Sequence, residues 1–323
     1  MFMNAKYGFY TPLSSDFPSQ VIVDLTEICN LKCRHCPYPI ISKESWWGFR
    51  QLDPVLHIKL IDEIVEKGPG KCLYVRYTAN GEPLLHLQVV EMLGYAAEQL
   101  RKVSIPVNLT TNGISLTKDK AKGLVNAGVS VIDVSIDAAC ASTYKLIRGG
   151  SFKKVMQNTK NLIKVAKGSR TKIVVSFVKQ DGNEEEVDEF EMYWFNEGAD
   201  RVVIRELHTA AGFIPGNMKS DRFPCVYPWE RLSLGADGYI HFCPQDWTHG
   251  SRVANFRGQT IESIWASDFM SNLRIAHLNN DFRDYSLCRK CPDWAITHWP
   301  HESNAYRDLM EDLKGEEDWN NAK

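Results

Sequence analysis

Seven of the nine cysteines in this 323-residue chain fall into two groups. Cys29, Cys33 and Cys36 lie in CNLKCRHC, with gaps of three and two residues. Cys225, Cys243, Cys288 and Cys291 run C-x17-C, then 44 residues, then C-x2-C, and Gly238 gives G-x4-C before Cys243. Three thiolates on one short loop can hold three corners of a [4Fe–4S] cube and leave the fourth iron open to a ligand. The same triplet could bind zinc with His35 recruited as fourth ligand, or be three buried thiols. The quartet closes either a tetrahedral zinc or a fully ligated cube, and spacing does not separate the two. An odd number of cysteines fits poorly with a disulfide framework. Cys72 opens an apolar run and reads as a core thiol. Cys140 follows a strand-like segment near the expected site.

The elements that must position these thiols follow a regular rhythm. The runs VIVDLT (21–26), CLYVRYT (72–78), PVNLTT (106–111), VIDVSID (131–137), KIVVSFV (172–178) and RVVIREL (201–207) read as strands. Helical spacing separates them. Asp53 is placed to cap a helix, Pro54 takes its first position, Leu56, Leu60, Ile61, Ile64 and Val65 form its apolar face, and Gly68 ends it. Asn183 and Glu186 have capping-box spacing for the helix that stops at Gly198. Six strand–helix units in series predict an α/β fold with a parallel sheet, a partial (β/α)6 TIM-like barrel. A full barrel uses about 250 residues and eight units. The triplet then sits at the C-terminal end of the first strand, where barrels place their chemistry.

After His208 the periodicity stops. Residues 208–224 read as a loop, 231–243 as a hairpin around GADG, and 261–277 as an amphipathic helix. From Glu302 onward seven acidic residues face three basic ones, which reads as a solvated tail. The expected organisation is an N-terminal extension (1–19), a barrel (20–210), a small C-terminal cluster-binding appendage (211–300) and a tail (301–323).

The net charge of −2, from 38 basic and 40 acidic residues, argues against nucleic acid or an anionic membrane as partner. No apolar run approaches the ~20 residues that span a bilayer. The first residues lack the pattern of a signal peptide, so a cytoplasmic protein is expected.

The CxxxCxxC loop followed by six βα units resembles the radical S-adenosylmethionine (SAM) superfamily over residues 20–207. The resemblance implies two cofactors at the triplet, SAM and a [4Fe–4S] cluster. One electron from the cluster would cleave SAM to a 5′-deoxyadenosyl radical that abstracts a substrate hydrogen. Asn80-Gly81-Glu82-Pro83 resembles the GGEP motif that meets the SAM amino group. Ser135 and Asp137 match positions that contact the ribose or the methionine end, and Thr111-Asn112-Gly113 faces the same mouth. His35 stands where the family usually has an aromatic residue, and the resemblance implies that its imidazole meets the cofactor by packing on adenine or donating a hydrogen bond. The C-terminal quartet is similar to the SPASM appendage in its shortened, one-cluster "twitch" form, which implies a second [4Fe–4S] cluster.

Trp46, Trp47 and Phe49 either pave the mouth or merely pack, and Arg205, Glu206 and His208 are candidates to meet a substrate. Cys140 reads as a buried thiol at a helix start or, alternatively, as a hydrogen-atom donor, a role that cysteines play in some epimerases of the superfamily. The expected activity is dehydrogenation or epimerisation of a small polar molecule, a sugar or aminocyclitol, with flavodoxin or ferredoxin as electron donor. A peptide-modifying maturase and a non-catalytic zinc/iron–sulfur scaffold are the alternatives.

Overall fold

A computed structural model describes residues 7–302. The six expected strands form: β1 (Gln20–Val23), β2 (Tyr74–Tyr77), β3 (Val107–Thr111), β4 (Val131–Ser135), β5 (Lys172–Lys179) and β6 (Arg201–Glu206). They lie side by side in sequence order, every neighbouring pair parallel. Parallel neighbours require crossover connections, and helices supply them.

A single turn, α1 (Tyr38–Ile41), follows the cysteine loop. Asp53 caps α2 (Pro54–Lys67) by accepting from the Val55 amide. After it come α3 (Val89–Arg101), α4 (Lys118–Asn126), α5 (Ala141–Ile147), α6 (Phe152–Ala166) and α7 (Val187–Asn196). Their apolar faces cover one side of the sheet and form the main core with Val21, Val23, Val75, Leu109, Ile132, Val134 and Val175. The opposite faces of the strands carry Arg76, Thr110, Asp133, Ser135, Ser176 and Arg205, as the two-residue period requires. A floor of Tyr74, Val131, Val174 and Val203 packs below that polar lining.

The boundary expected near residues 208–224 does not divide the sheet. Beyond the short turn α8 (Tyr227–Glu230), the hairpin of β7 (Arg231–Leu234) and β8 (Tyr239–His241) docks β7 parallel to β1, and β9 (Arg252–Asn255) adds to β8. The result is one nine-stranded sheet in which the appendage extends the partial barrel at β1. The helix expected over 261–277 is two, α9 (Ile261–Trp265) and α10 (Asp268–Asn279), because the Ser267 side chain caps the second one. The last helix is α11 (Ser286–Lys290). Among the described residues no helix is long and apolar enough to cross a membrane. The acidic tail, apart from residues 301–302, lies outside the described residues.

Candidate active site

Each strand of the partial barrel delivers its next loop to one face, and a cavity of about 180 Å³ opens there. Cys29, Cys33 and Cys36 all line it, with His35, Asn80, Gly81, Glu82, Thr111, Asn112 and Ser135. Burial pushes the Cys29 thiol up to about 12, and raises Cys33 and Cys36 as well. Buried thiols of this kind become thiolates when a metal takes them. The groups that approach the sulfurs are N–H donors: Asn112 Nδ2 at 3.9 Å from Cys29, Arg148 Nη1 at 3.8 Å from Cys33 and the Tyr38 amide at 3.5 Å from Cys36. Donors around converging cysteines suit a thiolate-held cluster, so the residues present fit a [4Fe–4S] group.

The NGEP segment is fixed by steric necessity. A Cβ on Gly81 would lie 1.9 Å from the Thr26 carbonyl oxygen, so only glycine lets the β2 loop lie against the chain leaving β1. The Glu82 amide donates to Ile28 O at 2.8 Å, tying that loop to the approach to Cys29. Glu82 is buried, which raises its carboxyl, and it accepts from Thr111 Oγ1, the Asn112 amide and the Leu84 amide. It therefore locks the ends of β2 and β3 together. Asn112 in turn donates to Asn30 Oδ1 at 2.8 Å. Ser135 Oγ lies 3.2 Å from Ser176 Oγ and faces the cavity.

Asp137 occupies a different place from the expected one. Its carboxylate is fully buried, does not line the cavity, and is taken by Arg148 at 2.6 Å and the Val178 amide at 2.8 Å. Asp137 aims Arg148, and Arg148 is the side chain that reaches the cavity and Cys33. Sequence reading missed Arg148, whose signal is its place eleven residues beyond Asp137 and directly before Gly149-Gly150. His35 does enter the cavity. Its Nδ1 accepts from Gln180 Nε2 at 3.1 Å, and burial, reinforced by Arg148, lowers it to about 4, so the ring is neutral.

Cys140 does not line the cavity either. Its thiol sits at the start of α5, 3.3 Å from Glu186 Oε1 and 3.0 Å from Ser142 Oγ. The expected capping box at Asn183 and Glu186 is absent for a related reason. Glu186 accepts from the Ala139 amide and Thr143, while Asn183 donates to Asp137 O and Val178 O. Both side chains brace the loop after β4 instead of capping α7.

The aromatic residues divide. Trp46 and Phe49 are exposed, whereas Trp47 is buried, donates to Glu27 O and stacks on Trp247 at 6.0 Å. Trp247, from the appendage, lines the cavity together with Tyr38 of α1. Cys72 is buried in the core as expected.

A second cavity, about 340 Å³, lies inside the barrel and meets the first at His208. Arg205 and Glu206 line it with Arg76, Gln20 and Gln245. Burial alone would raise Asp133, yet Arg205 at 2.6 Å and Arg76 at 3.4 Å outweigh it and hold the carboxyl below its usual range. Tyr227, Gln245 and Thr297 line this cavity and also the pocket of the C-terminal quartet. In that pocket Cys225, Cys243, Cys288 and Cys291 converge, and burial together with the neighbouring thiols raises Cys225, Cys243 and Cys288. The four thiols fit a closed metal centre.

Comparison with known proteins agrees with this geometry. The model of the radical SAM superfamily matches residues 23–190, and that of the SPASM iron–sulfur cluster-binding domain matches residues 225–292. Among curated proteins, the chain is similar to GTP 3',8-cyclases. The one from Petrotoga mobilis is 30% identical over 171 residues, 52% of this chain and 49% of the relative. That from Rhizobium leguminosarum bv. trifolii is 29% identical over 247 residues, 73% of this chain and 65% of the relative. The chain thus spans about half the length of most of the curated relatives it matches. Among solved structures, BtrN in complex with AdoMet and 2-DOIA has a TM-score of 0.58 at 18% identity, covering 87% of this chain and 95% of that one. Streptococcus suis SuiB bound to S-adenosylmethionine has a TM-score of 0.66 at 15% identity, covering 92% and 75%. These two share the fold. With the triplet, the NGEP lock and the C-terminal quartet in place, the chain belongs to the radical SAM superfamily and carries a C-terminal SPASM domain.

Proposed function

We propose that the protein binds SAM in the cavity of the cysteine triplet and abstracts a hydrogen atom from a small polar substrate held in the adjoining barrel cavity. When bound at Cys29, Cys33 and Cys36, a [4Fe–4S] cluster supplies the electron that cleaves SAM to a 5′-deoxyadenosyl radical. The quartet holds a second [4Fe–4S] cluster, and a flavodoxin or ferredoxin serves as external electron donor. Asn80, Asn112 and Ser135 offer hydrogen bonds to SAM, while Glu82 and Asp137 hold the loops and Arg148 in place. His208, Arg205 and Glu206 face the substrate.

The observation that carries this reading is the position of the larger cavity. It meets the SAM cavity at His208 and the SPASM pocket at Tyr227, Gln245 and Thr297. A substrate there lies between the group that takes its hydrogen and the centre that accepts its electron. The polar lining suits a sugar or aminocyclitol. Dehydrogenation is favoured over epimerisation because Cys140, the candidate donor for inversion, lines neither cavity. Loss of a hydrogen atom, a proton and an electron from a carbinol gives a ketone.

A second reading, cyclisation of a nucleotide, draws on the activity for which the curated relatives are named. Anaerobic incubation with SAM and reductant separates the readings, with either a metabolite extract or GTP added. A product two hydrogens lighter than a polar metabolite, formed in step with 5′-deoxyadenosine, supports dehydrogenation. A product from GTP alone supports cyclisation. Absence of any product paired with 5′-deoxyadenosine contradicts both.

A further inference from the structure

Between the SAM cavity and the SPASM pocket lies a third, very small cavity of about 10 Å³, the space of one water molecule or one ion. Its wall includes Asp24, Glu27, Asn80, Ser233, Asp237, His241 and His249. Three polar atoms in this wall are buried and have no hydrogen-bond partner: Asn80 Oδ1, Ser233 Oγ and His249 Nδ1. Orphaned polar atoms around a one-atom space are the mark of a missing occupant. Asp237, His241 and His249 each place one ligand atom here, and the three atoms lie within 4.8 Å of one another.

We propose that Asp237, His241 and His249 bind a divalent first-row transition cation of the zinc class. Two imidazoles and a carboxylate are a ligand set for such an ion, with space left for a further oxygen. The outer groups supply the right partners. His241 Nδ1 lies 3.2 Å from Ser251 Oγ, which leaves Nε2 to face the ion. His249 Nε2 lies 3.6 Å from Glu27 Oε1, a carboxylate able to hold the ring while Nδ1 ligates. Arg50, 3.0 Å from the same Nε2 and paired with Glu27 at 2.8 Å, must give up its contact with the ring, and its side chain is 34% exposed.

Arg252 Nε already donates to Asp237 Oδ2 at 2.8 Å, which leaves Oδ1, 3.4 Å from His241 Nε2, to face the ion. The ion would clamp the segment from Cys243 to Ser251, which carries a quartet ligand at one end and Trp247 of the SAM cavity near its middle. It would also hold Asp246, whose carbonyl accepts from Asn80 Nδ2 at 3.3 Å.

The test uses the protein with its clusters assembled, equilibrated anaerobically with micromolar zinc sulfate and freed of excess. The expected result is about one zinc per chain beyond the iron, with iron unchanged. Asp237→Asn and His249→Gln should each weaken zinc binding about 10- to 100-fold or more without loss of iron. Wild-type affinity in the variants overturns the proposal. Should a variant fail to fold, crystals of the wild-type protein soaked in zinc decide the matter through anomalous scattering at the zinc edge. A peak between Asp237, His241 and His249 upholds the site. Zinc found only at cysteines, or nowhere, refutes it.

Discussion

Arg148 and Asp137 form the most consequential pair at the scale of single residues. Both are buried, and the guanidinium reaches Cys33 while Asp137 grips it from behind. Removing one partner strands the other charge, so Arg148→Ala should cost about 3–5 kcal/mol in unfolding free energy. Asp137→Asn should weaken SAM binding through Arg148, since Asp137 itself does not line the cavity. A double-mutant cycle with Arg148→Lys checks this route. SAM affinity in the double variant should match the weaker single variant, and additive losses would show two independent contacts. Gly81→Ala makes a complementary case. Its Cβ meets Thr26 O at 1.9 Å, so the β2 loop must move. The expected outcome is retained iron with SAM binding lost, read by the change that SAM produces in the cluster's electron paramagnetic resonance.

At the scale of elements, α2 carries a buried titration. His57 Nε2 lies 2.7 Å from Tyr77 Oη, joining α2 to β2, and burial, aided by His86, lowers the imidazole to about 4. Between the ordinary value near 6.5 and 4, the unfolded chain binds a proton that the folded chain refuses. Stability from this group is therefore complete above pH 6.5 and falls as the pH drops toward 4. His57→Gln keeps a hydrogen-bonding side chain and removes the titration. Between pH 6.5 and 5, its stability should fall with a slope smaller by about one proton, as urea unfolding would measure.

The elements also explain what was legible in the sequence. Apolar period and caps announced all six strands and α2, because burial of one face leaves a periodic trace. The inward polar residues Arg76, Asp133 and Arg205 left no such trace, since their meaning depends on which strands become neighbours. Asn183 and Glu186 misled for the same reason. Local spacing offers them to the start of α7, yet the loop after β4 has the stronger unmet demands, including the Ala139 amide and the Asp137 carbonyl. Trp247 and Arg148 reach the site only through tertiary packing.

At the scale of the whole molecule, the appendage is an extension of the barrel's own sheet. β7 pairs with β1 over four residues, so the strand that leads to the cysteine triplet also supports the hairpin that leads to Cys243. Spacing separates the two cysteine groups but holds no information on this shared strand. The continuity predicts coupled stability. Loss of the SPASM centre, through Cys243→Ala, should lower the Tm of the entire fold by several degrees, not melt a separate unit. Calorimetry should show one transition in both proteins, and two transitions would contradict the shared core.

In the proposed function the two cysteine groups hold distinct iron–sulfur centres and only the N-terminal one cleaves SAM. The direct measurement is iron content alongside 5′-deoxyadenosine formation, after anaerobic reconstitution, in the wild type and in a variant with Cys29, Cys33 and Cys36 replaced by alanine. The expected result is about eight irons per wild-type chain, about half of that in the variant, and 5′-deoxyadenosine from the wild type alone. Iron near four with zinc in the quartet, or no SAM cleavage by the fully loaded wild type, would contradict it.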